Sequence, residues 1–470
     1  MPLRQPSPTR LSRRAAMRGG AGLGMATFFG TRASGAGAAT LVQSTPTTDI
    51  SGTSLSMLQW QHFVPAYDAW FDTFAGEWAE ANGVEVTIDR INGVDVPSAI
   101  SAEMGAQSGH DLLEYVNSLP QFEPGVIDLA DVVAEAERRH GPQLDMAMRN
   151  SYNPHTGKFY GFCHGYAPDP ANYRRSLWET VGMPDGPATL DEVLEGGTRI
   201  WNEHGVQMGI GMSQEADSNM AAQTTIWAFG GAVQDENENI VINSPETIAA
   251  VEYMKELYES CMTPEVFGWN PASNNQLLIA GQASYIYNSI SAYRTAQEQQ
   301  PETAADVYFS TPPEGPGGPD RALAHGHTAF VAMIPTYAEN PDTAMEFLLH
   351  LVANYQAASE ASALYNFPAF PETFPALTQP DGPLADDPYG SEPPDKLLPL
   401  RSAPDWTVNL GWPGPANAMI GECFNSFILS DMMAKAARSD MSPADAVAEA
   451  ETRLNEIAQR WRDEGLMGGA

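Results

Sequence analysis

The chain has 470 residues, with 24 lysines and arginines against 59 aspartates and glutamates, and a formal charge of −35 at pH 7. Such an acidic surface repels nucleic acid and anionic lipid, which argues against nucleic-acid-binding and membrane-surface functions. Single hydrophobic cores stop growing at roughly 250 to 300 residues, so the length predicts two or three lobes, of which two is the favoured number.

The N-terminus has the composition of an export signal. Residues 1–38 contain six arginines and no acidic residue, and Arg13 and Arg14 precede a Gly/Ala-rich run that ends near Ala38. The pattern predicts a twin-arginine signal peptide over 1–38 and a flexible linker over 39–53. Removing the six arginines takes the formal charge from −35 to −41. We therefore expect a periplasmic protein, with a disordered basic arm as the alternative reading of this segment.

The first predicted elements alternate between strand and helix. Ser54–Trp60 is typical of a strand, and Pro65–Asn82 carries aromatic residues at helical spacing before Gly83. Residues 84–91 are typical of a second strand. A strand, a helix and a strand at this spacing predict a parallel βαβ unit and an α/β fold.

Later helices are predicted from their capping residues. A Ser, Thr or Asn followed by Pro or by a Glu three positions on indicates a helix start. The predicted caps are Thr189 with Glu192, Ser244, Asn340 and Ser442. Residues 368–404 are rich in proline and predict a long irregular excursion over the surface.

No catalytic or metal-binding motif is evident. The sequence lacks a Gly-x-Ser-x-Gly elbow, a phosphate-binding Gly loop with lysine and a His-Glu-x-x-His pair. His325 and His327 would share one strand face, but no carboxylate-rich motif accompanies them. The three cysteines have no metal-ligand spacing; at most one disulfide could form among them, and three buried small apolar side chains are the favoured reading. We therefore predict no enzyme activity, no cofactor and no metal.

Several fragments then follow one another in an order that resembles a known family. Two of them are Gly157-Lys158-Phe159-Tyr160-Gly161-Phe162 and Gly281-Gln282-Ala283-Ser284-Tyr285-Ile286-Tyr287-Asn288, and the others lie at 172–179, 182–184, 230–233, 244–247, 325–334 and 442–448. The ordered set resembles the family 1 extracellular solute-binding proteins, the maltose-binding-like substrate-binding proteins of ABC transporters.

The resemblance implies a two-lobed α/β fold of the type II periplasmic-binding-protein kind. Each lobe would be a mainly parallel sheet flanked by helices, with hinge crossovers between the lobes. Lobe 1 would comprise 54–162 and 290–352, and lobe 2 would comprise 163–289 and 353–470. Closure about the hinges would bury a solute against both lobes.

The resemblance also implies a function. A monomeric protein would capture a small polar solute, a sugar or oligosaccharide, in the interlobe cleft and deliver it to ABC permease subunits. The expected ligand-binding residues end segments that face this cleft: Trp60, Gln61, His62, Tyr115, Asn117, His164, Tyr166, Asp169, Trp227, Trp269, Asn288, Ser289, His325 and Trp412. Trp60 and Trp227 have the core as their alternative location.

Three alternatives stay open at this point. An exported carbohydrate-active enzyme would need an acid–base pair that the sequence does not single out. A ligand-sensing subunit for a membrane receptor would share the fold and most of these residues. A polyamine or another cation could replace the sugar in so acidic a chain.

Overall fold

The computed structural model describes residues 41–42, 46–325 and 329–470, with the side chain of His325 left undescribed. The predicted signal peptide over 1–38, part of the predicted linker and His327 lie outside these residues. None of the helices in the described ranges is long and apolar enough to cross a membrane.

The strands are short and spread along the chain. They are β1 (Ser54–Trp60), β2 (Glu85–Ile91), β3 (Leu112–Tyr115), β4 (Tyr152–Asn153), β5 (Lys158–Phe159), β6 (Phe162–Tyr166), β7 (Ala171–Arg174), β8 (Tyr285–Tyr287), β9 (Val307–Ser310), β10 (Ala324–His325), β11 (Ala329–Met333), β12 (Phe367–Pro368) and β13 (Thr407–Val408).

Helices connect and cover the strands. They are α1 (Pro65–Asn82), α2 (Val96–Ala106), α3 (Ala130–His140), α4 (Asp145–Arg149), α5 (Arg175–Thr180), α6 (Leu190–His204), α7 (Ala216–Ala228), α8 (Pro245–Cys261), α9 (Ser273–Ile279), α10 (Ser291–Gln299), α11 (Pro301–Asp306), α12 (Pro341–Ala353), α13 (Tyr355–Ala361), α14 (Ala403–Trp406), α15 (Ala418–Asn425), α16 (Ile428–Ala437) and α17 (Pro443–Asp463).

The predicted βαβ unit is confirmed. β1 pairs in parallel with β2, from Ser54 opposite Glu85 to Trp60 opposite Ile91, and α1 connects them. The helix ends because Gly83 adopts a left-handed conformation with φ 65°, which glycine reaches without a Cβ clash.

The sheets are mixed where the sequence predicted mainly parallel pairing. The larger sheet has the order β12-β6-β11-β3-β1-β2, in which β11 runs antiparallel to both β3 and β6. A second sheet, β8-β7-β9, is antiparallel throughout. The difference arises because β11 enters the larger sheet between β3 and β6 and runs opposite to both, while β7 runs opposite to both β8 and β9. Neither arrangement follows the βαβ pattern that produces parallel pairs.

Two separate hydrophobic cores form. The first core takes its residues from 50–167, 278–309 and 324–406, and the second core takes its residues from 171–287 and 410–467. β8 contributes to both, because Ile286 packs in the first core while Tyr285 and Tyr287 on the opposite strand face pack in the second. Residues 355–406, which the sequence assigned to lobe 2, pack in the first core. The lobe boundaries stay a prediction.

The helix caps are confirmed at three of the four predicted positions. Thr189 forms a capping box with Glu192, and the hydroxyls of Ser244 and Ser442 accept backbone N–H groups in their first turns. Asn340 precedes α12 as predicted, but its side chain does not cap the helix. Its Nδ2 instead donates to Ser54 Oγ at 3.3 Å.

The proline-rich excursion over 368–404 is irregular, as predicted, but it does not only cover the surface. It contains short 3₁₀ turns and several fully buried side chains, among them Leu384, Leu397 and Leu400. Lys396 is also buried, and its ammonium donates to the carbonyls of Ala304 and Ala305 at 2.9 and 2.7 Å. The sequence missed this attachment because the contacting residues are about ninety positions apart.

The three cysteines are confirmed as buried free thiols. Burial raises the pKa of the Cys163, Cys261 and Cys423 thiols to about 12, so they remain protonated at neutral pH.

Candidate functional site

Two segments of the chain that connect the first core to the second lie side by side. The segment from β6 to β7 contains Asp169, and the segment after β8 contains Asn288 and Ser289. They meet because Ala171 pairs with Tyr287 across the antiparallel sheet. Polar side chains from both cores converge at this point, which we call the hinge site.

An amide–carboxylate cluster forms one side of the hinge site. Asp217 lies in the first turn of α7, and its Oδ2 accepts from Asn274 Nδ2 at 2.8 Å and from Asn288 Nδ2 at 3.0 Å. Asn288 Nδ2 also donates to Asn275 Oδ1 at 2.7 Å. Asp217 as a whole residue is half-buried, next to the buried Glu215 and Ser218.

Carboxylates dominate the charge of the cluster. Burial raises the pKa of Asp217 well above its ordinary value, and the charges of Glu215 and Asp169 raise it further, against the hydrogen bond from Asn274. Glu215 caps α7 by accepting from the backbone N–H groups of Asp217 and Ser218. The helix N-terminus is thus already occupied by a carboxylate of the chain itself.

An aromatic wall forms the other side. The Phe63 ring lies 5.1 Å from the Trp60 ring and 6.3 Å from the Tyr365 ring, between centroids, and Phe63 is 52% exposed. Trp60 is itself buried and stacks on Phe330 at 5.8 Å. Trp60 therefore supports the wall, and Phe63 offers the accessible ring.

Tyr365 joins the wall to the polar cluster. Burial raises its pKa, the hydrogen bond with Ser289 lowers it, and the charges of Asp169 and Asp217 raise it. The Tyr365 ring itself lies 5.3 Å from the His62 ring, between centroids. Tyr365 packs in the first core, whereas Asp217 begins a helix of the second, so the hinge site is built from both.

His62 and Asn366 complete the wall with a defined hydrogen-bond direction. The Val64 N–H donates to His62 Nδ1 at 2.9 Å, so Nδ1 is an acceptor and the proton is on Nε2. Nε2 then donates to Asn366 Oδ1 at 2.9 Å. Asn366 is fully buried, and its Nδ2 has no acceptor among the described residues. Asn366 Nδ2 is thus a buried amide donor without a protein partner in the described part of the chain.

The structure brings some predicted residues together and separates others. Trp60, His62, Asp169, Asn288 and Ser289 lie at the hinge site. Gln61 is exposed beside them, and the Trp269 carbonyl accepts from Ser213 Oγ at 2.8 Å, just before the Glu215 cap.

His164 and Tyr166 lie inside the first core. The His164 imidazole is 3.5 Å from Glu114 Oε1 and stacks on Phe330, and Tyr166 packs on Phe367. Tyr115, at the end of β3, is half-buried, and burial raises its pKa to about 12. Asn117 is buried two residues further on.

Trp227 and Trp412 form a separate pair. Trp227 is fully buried, and its indole N–H donates to the Trp412 carbonyl at 3.1 Å. The Arg321 guanidinium lies 4.6 Å from the Trp412 ring, which is half-buried. His325 lies in β10, whose backbone pairs in parallel with β13 near this pair.

Sequence reasoning missed Phe63, Asp217, Tyr365 and Asn366. The position of Phe63 in the sequence could have predicted it as a site residue, since it directly follows Trp60, Gln61 and His62 at the end of a predicted strand. Asp217 had a weaker signal, as an acid in the first turn of a helix. Tyr365 and Asn366 lie between α13 and β12, and only tertiary contacts bring them to His62 and Ser289.

No group of three or more His, Cys, Asp or Glu side chains in the described ranges is arranged to hold a metal ion. The chemistry of the hinge site is that of hydrogen-bond donors, carboxylate acceptors and one accessible aromatic face.

Comparison with known proteins identifies the family to which this chain belongs. The profile of the bacterial extracellular solute-binding protein family matches residues 69–388. The chain belongs to this family. It is therefore an extracytoplasmic solute-binding protein of the kind that serves ABC transporters. No curated protein sequence matches the chain significantly.

Solved structures agree on the two-lobed fold of this family. Maltose-bound MalE3 of T. maritima is 18% identical with a TM-score of 0.71, over 86% of this chain and 100% of that chain. A sugar transporter protein of Arthrobacter chlorophenolicus with bound laminaribiose is 15% identical with a TM-score of 0.69, over 86% and 99%. An ABC transporter solute-binding protein of Agrobacterium radiobacter with ribitol is 16% identical with a TM-score of 0.66, over 87% and 100%.

Proposed function

We propose that the chain captures a neutral, polyhydroxylated solute, a sugar or a polyol, at the hinge site and delivers it to ABC permease subunits. The observation that carries this proposal is the pairing of an exposed ring, Phe63, with polar groups of both hydrogen-bonding kinds. Asp217 supplies acceptors for hydroxyl hydrogens, and Asn366 Nδ2 supplies a donor for a hydroxyl or ring oxygen. Sugars need this combination, because their C–H faces pack on aromatic rings while their hydroxyls donate and accept.

The protein acts as a monomeric receptor in this proposal, and it does not transform the solute. Glu215 supports this reading because it caps α7 and is held by backbone N–H groups, which leaves it poorly placed to act as a general acid. Residues 1–38 carry the arginine pair that favours export to the periplasm by the twin-arginine route. The lobes would divide as the sequence analysis proposes, with residues 355–406 reassigned to lobe 1 because they pack in the first core.

A cationic solute is the second candidate, and one observation favours it. The pKa of Asp217 is raised partly by Glu215 and Asp169, so a positive charge near these carboxylates would be stabilised. A polyamine would use the same cluster and the Phe63 ring through cation–π contact. The two candidates therefore differ in what the carboxylates receive, a hydroxyl hydrogen or an ammonium group.

Calorimetric titration of the protein without residues 1–38 tests the proposal. The probes are maltose, laminaribiose, ribitol and spermidine, each followed by chromatography of the recovered solute. We expect one of the first three to bind, and to be recovered unchanged. Binding of spermidine alone would overturn the neutral solute and leave the receptor role, whereas conversion of a probe to product would overturn the receptor role itself.

Two substitutions link such binding to the hinge site. Phe63→Ala and Asp217→Asn should each weaken the affinity about tenfold, the effect of losing one good contact of ~1.4 kcal/mol. Asp235→Asn is the matched control, because Asp235 is also half-buried and accepts from the Asn239 amide, at a distance from the site. Unchanged affinity in both site variants would remove the hinge site from the proposal.

A further inference from the structure

Arg294 connects three parts of the chain next to the hinge site. It lies in α10, five residues after Ser289, and only 8% of it is exposed. Its Nη1 and Nη2 donate to the two carboxylate oxygens of Asp387 at 2.8 and 3.0 Å, and its Nε donates to the Ala363 carbonyl at 3.0 Å. One planar guanidinium thus joins α10 to the excursion and to the segment before Tyr365.

The segment that Arg294 contacts is a strained turn. Ala363 and Leu364 are consecutive non-glycine residues in the left-handed region, with φ of 52° and 65°. This conformation is unfavourable for residues with a Cβ and persists only where surrounding contacts hold it. The turn ends α13, with the Leu364 N–H donating to the Ser359 carbonyl at 2.8 Å.

The turn determines where two site residues lie. Tyr365 and Asn366 follow it directly. The Tyr365 ring lies 5.3 Å from the His62 ring, between centroids, and Asn366 Oδ1 accepts from His62 Nε2. A change in the left-handed pair would redirect both side chains, because φ and ψ at these positions set the direction of the chain that follows.

Asp387 holds the guanidinium in the orientation that this contact needs. Asp387 is buried, and it also accepts from the Ser391 hydroxyl and from the Tyr389 N–H. The excursion is fastened independently by Lys396, whose ammonium binds the α11 carbonyls. Arg294 and Lys396 therefore both tether the excursion, but only Arg294 reaches the turn.

We propose that Arg294, oriented by Asp387, is a positioning residue for solute binding. It holds the Ala363–Leu364 turn, and the turn directs Tyr365 and Asn366 towards the hinge site. The inference rests on the proposed function for its effect on affinity. Its effect on the turn is independent of any solute.

The test compares Arg294→Lys with Lys396→Met by hydrogen exchange and by titration. Lysine keeps the charge opposite Asp387 but cannot supply the guanidinium fork together with the Nε donor. In Arg294→Lys we expect about tenfold faster exchange at Leu364, Tyr365 and Asn366, and about tenfold weaker binding of whichever probe the parent binds. Lys396→Met should lower the melting temperature and change neither quantity.

A rescue variant separates positioning from general destabilisation. Glycine adopts positive φ without a Cβ clash, so Ala363→Gly in the Arg294→Lys background should restore part of the affinity. Asp387→Asn keeps the shape of the side chain and serves as the second variant if Arg294→Lys folds poorly. It should show the same faster hydrogen exchange at residues 364–366 that we expect for Arg294→Lys.

The outcomes are distinguishable. Unchanged exchange at 364–366 in Arg294→Lys, or an equal loss of affinity in Lys396→Met, would overturn the positioning role. Faster exchange with unchanged affinity would overturn it as well. If no probe binds the parent protein, the proposed function fails, and the exchange comparison alone still decides whether Arg294 holds the turn.

Discussion

At the scale of single residues, the buried histidines couple stability to pH. Burial lowers the pKa of His62 to about 4, against the hydrogen bond to Asn366 that raises it, and burial also lowers the pKa of His350 to about 4. Both imidazoles are almost fully inaccessible, and His350 stacks on Phe74 at 4.7 Å. Each must therefore remain neutral in the folded protein.

The sign of the effect follows from linkage. A histidine with a depressed folded pKa contributes stability that is complete above its unfolded value near 6.5 and is lost as the pH falls through 4. Two and a half pKa units correspond to about 3 kcal/mol per histidine. We expect His350→Gln to lose less unfolding free energy than the parent between pH 7 and pH 4, measured by urea denaturation.

The matched control for this prediction is His204→Gln. His204 is exposed, so its replacement removes a histidine without changing the interior of the protein. Equal pH dependence of the parent and of His350→Gln would contradict the assignment of acid sensitivity to the buried imidazole.

At the scale of elements, helix packing depends on glycines that local propensity disfavours. Gly196 lies inside α6, and a Cβ built there would approach the Trp178 ring to 2.3 Å. Trp178 is fully buried and donates through Nε1 to the Ser284 carbonyl at 2.9 Å, so the ring has no room to shift. Gly196 therefore allows α6 to pack closely on α5, at a cost in helix propensity.

Alanine at two helical glycines should have opposite effects. Gly196→Ala should lower the unfolding free energy by roughly 1–3 kcal/mol, because the added methyl overpacks the Trp178 contact. Gly76→Ala in α1 should raise it by about 0.5–1 kcal/mol, since Gly76 is exposed and a Cβ there meets no atom within 4 Å. Thermal and urea denaturation measure both. A stabilised Gly196→Ala variant would show that the α5–α6 contact relaxes freely.

At the scale of the whole molecule, the charge of the chain opposes its compactness. A formal charge of −35 produces self-repulsion that salt reduces, since the Debye length shortens from about 14 Å at 0.05 M to about 4 Å at 0.5 M. The acidic surface thus suits a protein that works in salty surroundings.

We expect the melting temperature to rise steadily from 0.05 to 0.5 M NaCl, because screening relieves repulsion among exposed carboxylates. The double variant Glu77→Gln/Glu80→Gln, both exposed on α1, should show a weaker salt dependence. KCl in place of NaCl is the control for a specific cation effect. A flat or falling melting temperature in the parent would contradict this account of the surface charge.

Prediction from the sequence succeeded for elements whose signals are local. Aromatic spacing predicted α1, and the Thr189 capping box was predicted from two residues three positions apart. His62, Asp169, Asn288 and Ser289 lie next to strand ends, as the sequence placed them, and their role in binding stays a prediction. The prediction that the Asn340 side chain caps α12 was wrong. Whether this amide caps the helix or binds the distant Ser54 depends on tertiary contacts.

By itself, the sequence determined the α/β class and the strand ends that contribute to the hinge site, because these depend on periodicity and on residues close together in the chain. The family followed from the resemblance of an ordered set of short fragments. The tertiary structure alone decided which side chains complete that site. His62 meets Asn366 across 304 positions, and Arg294 meets Asp387 across 93. No local pattern encodes such pairs, since their contact energy is realised only when two cores and a strained turn have already formed.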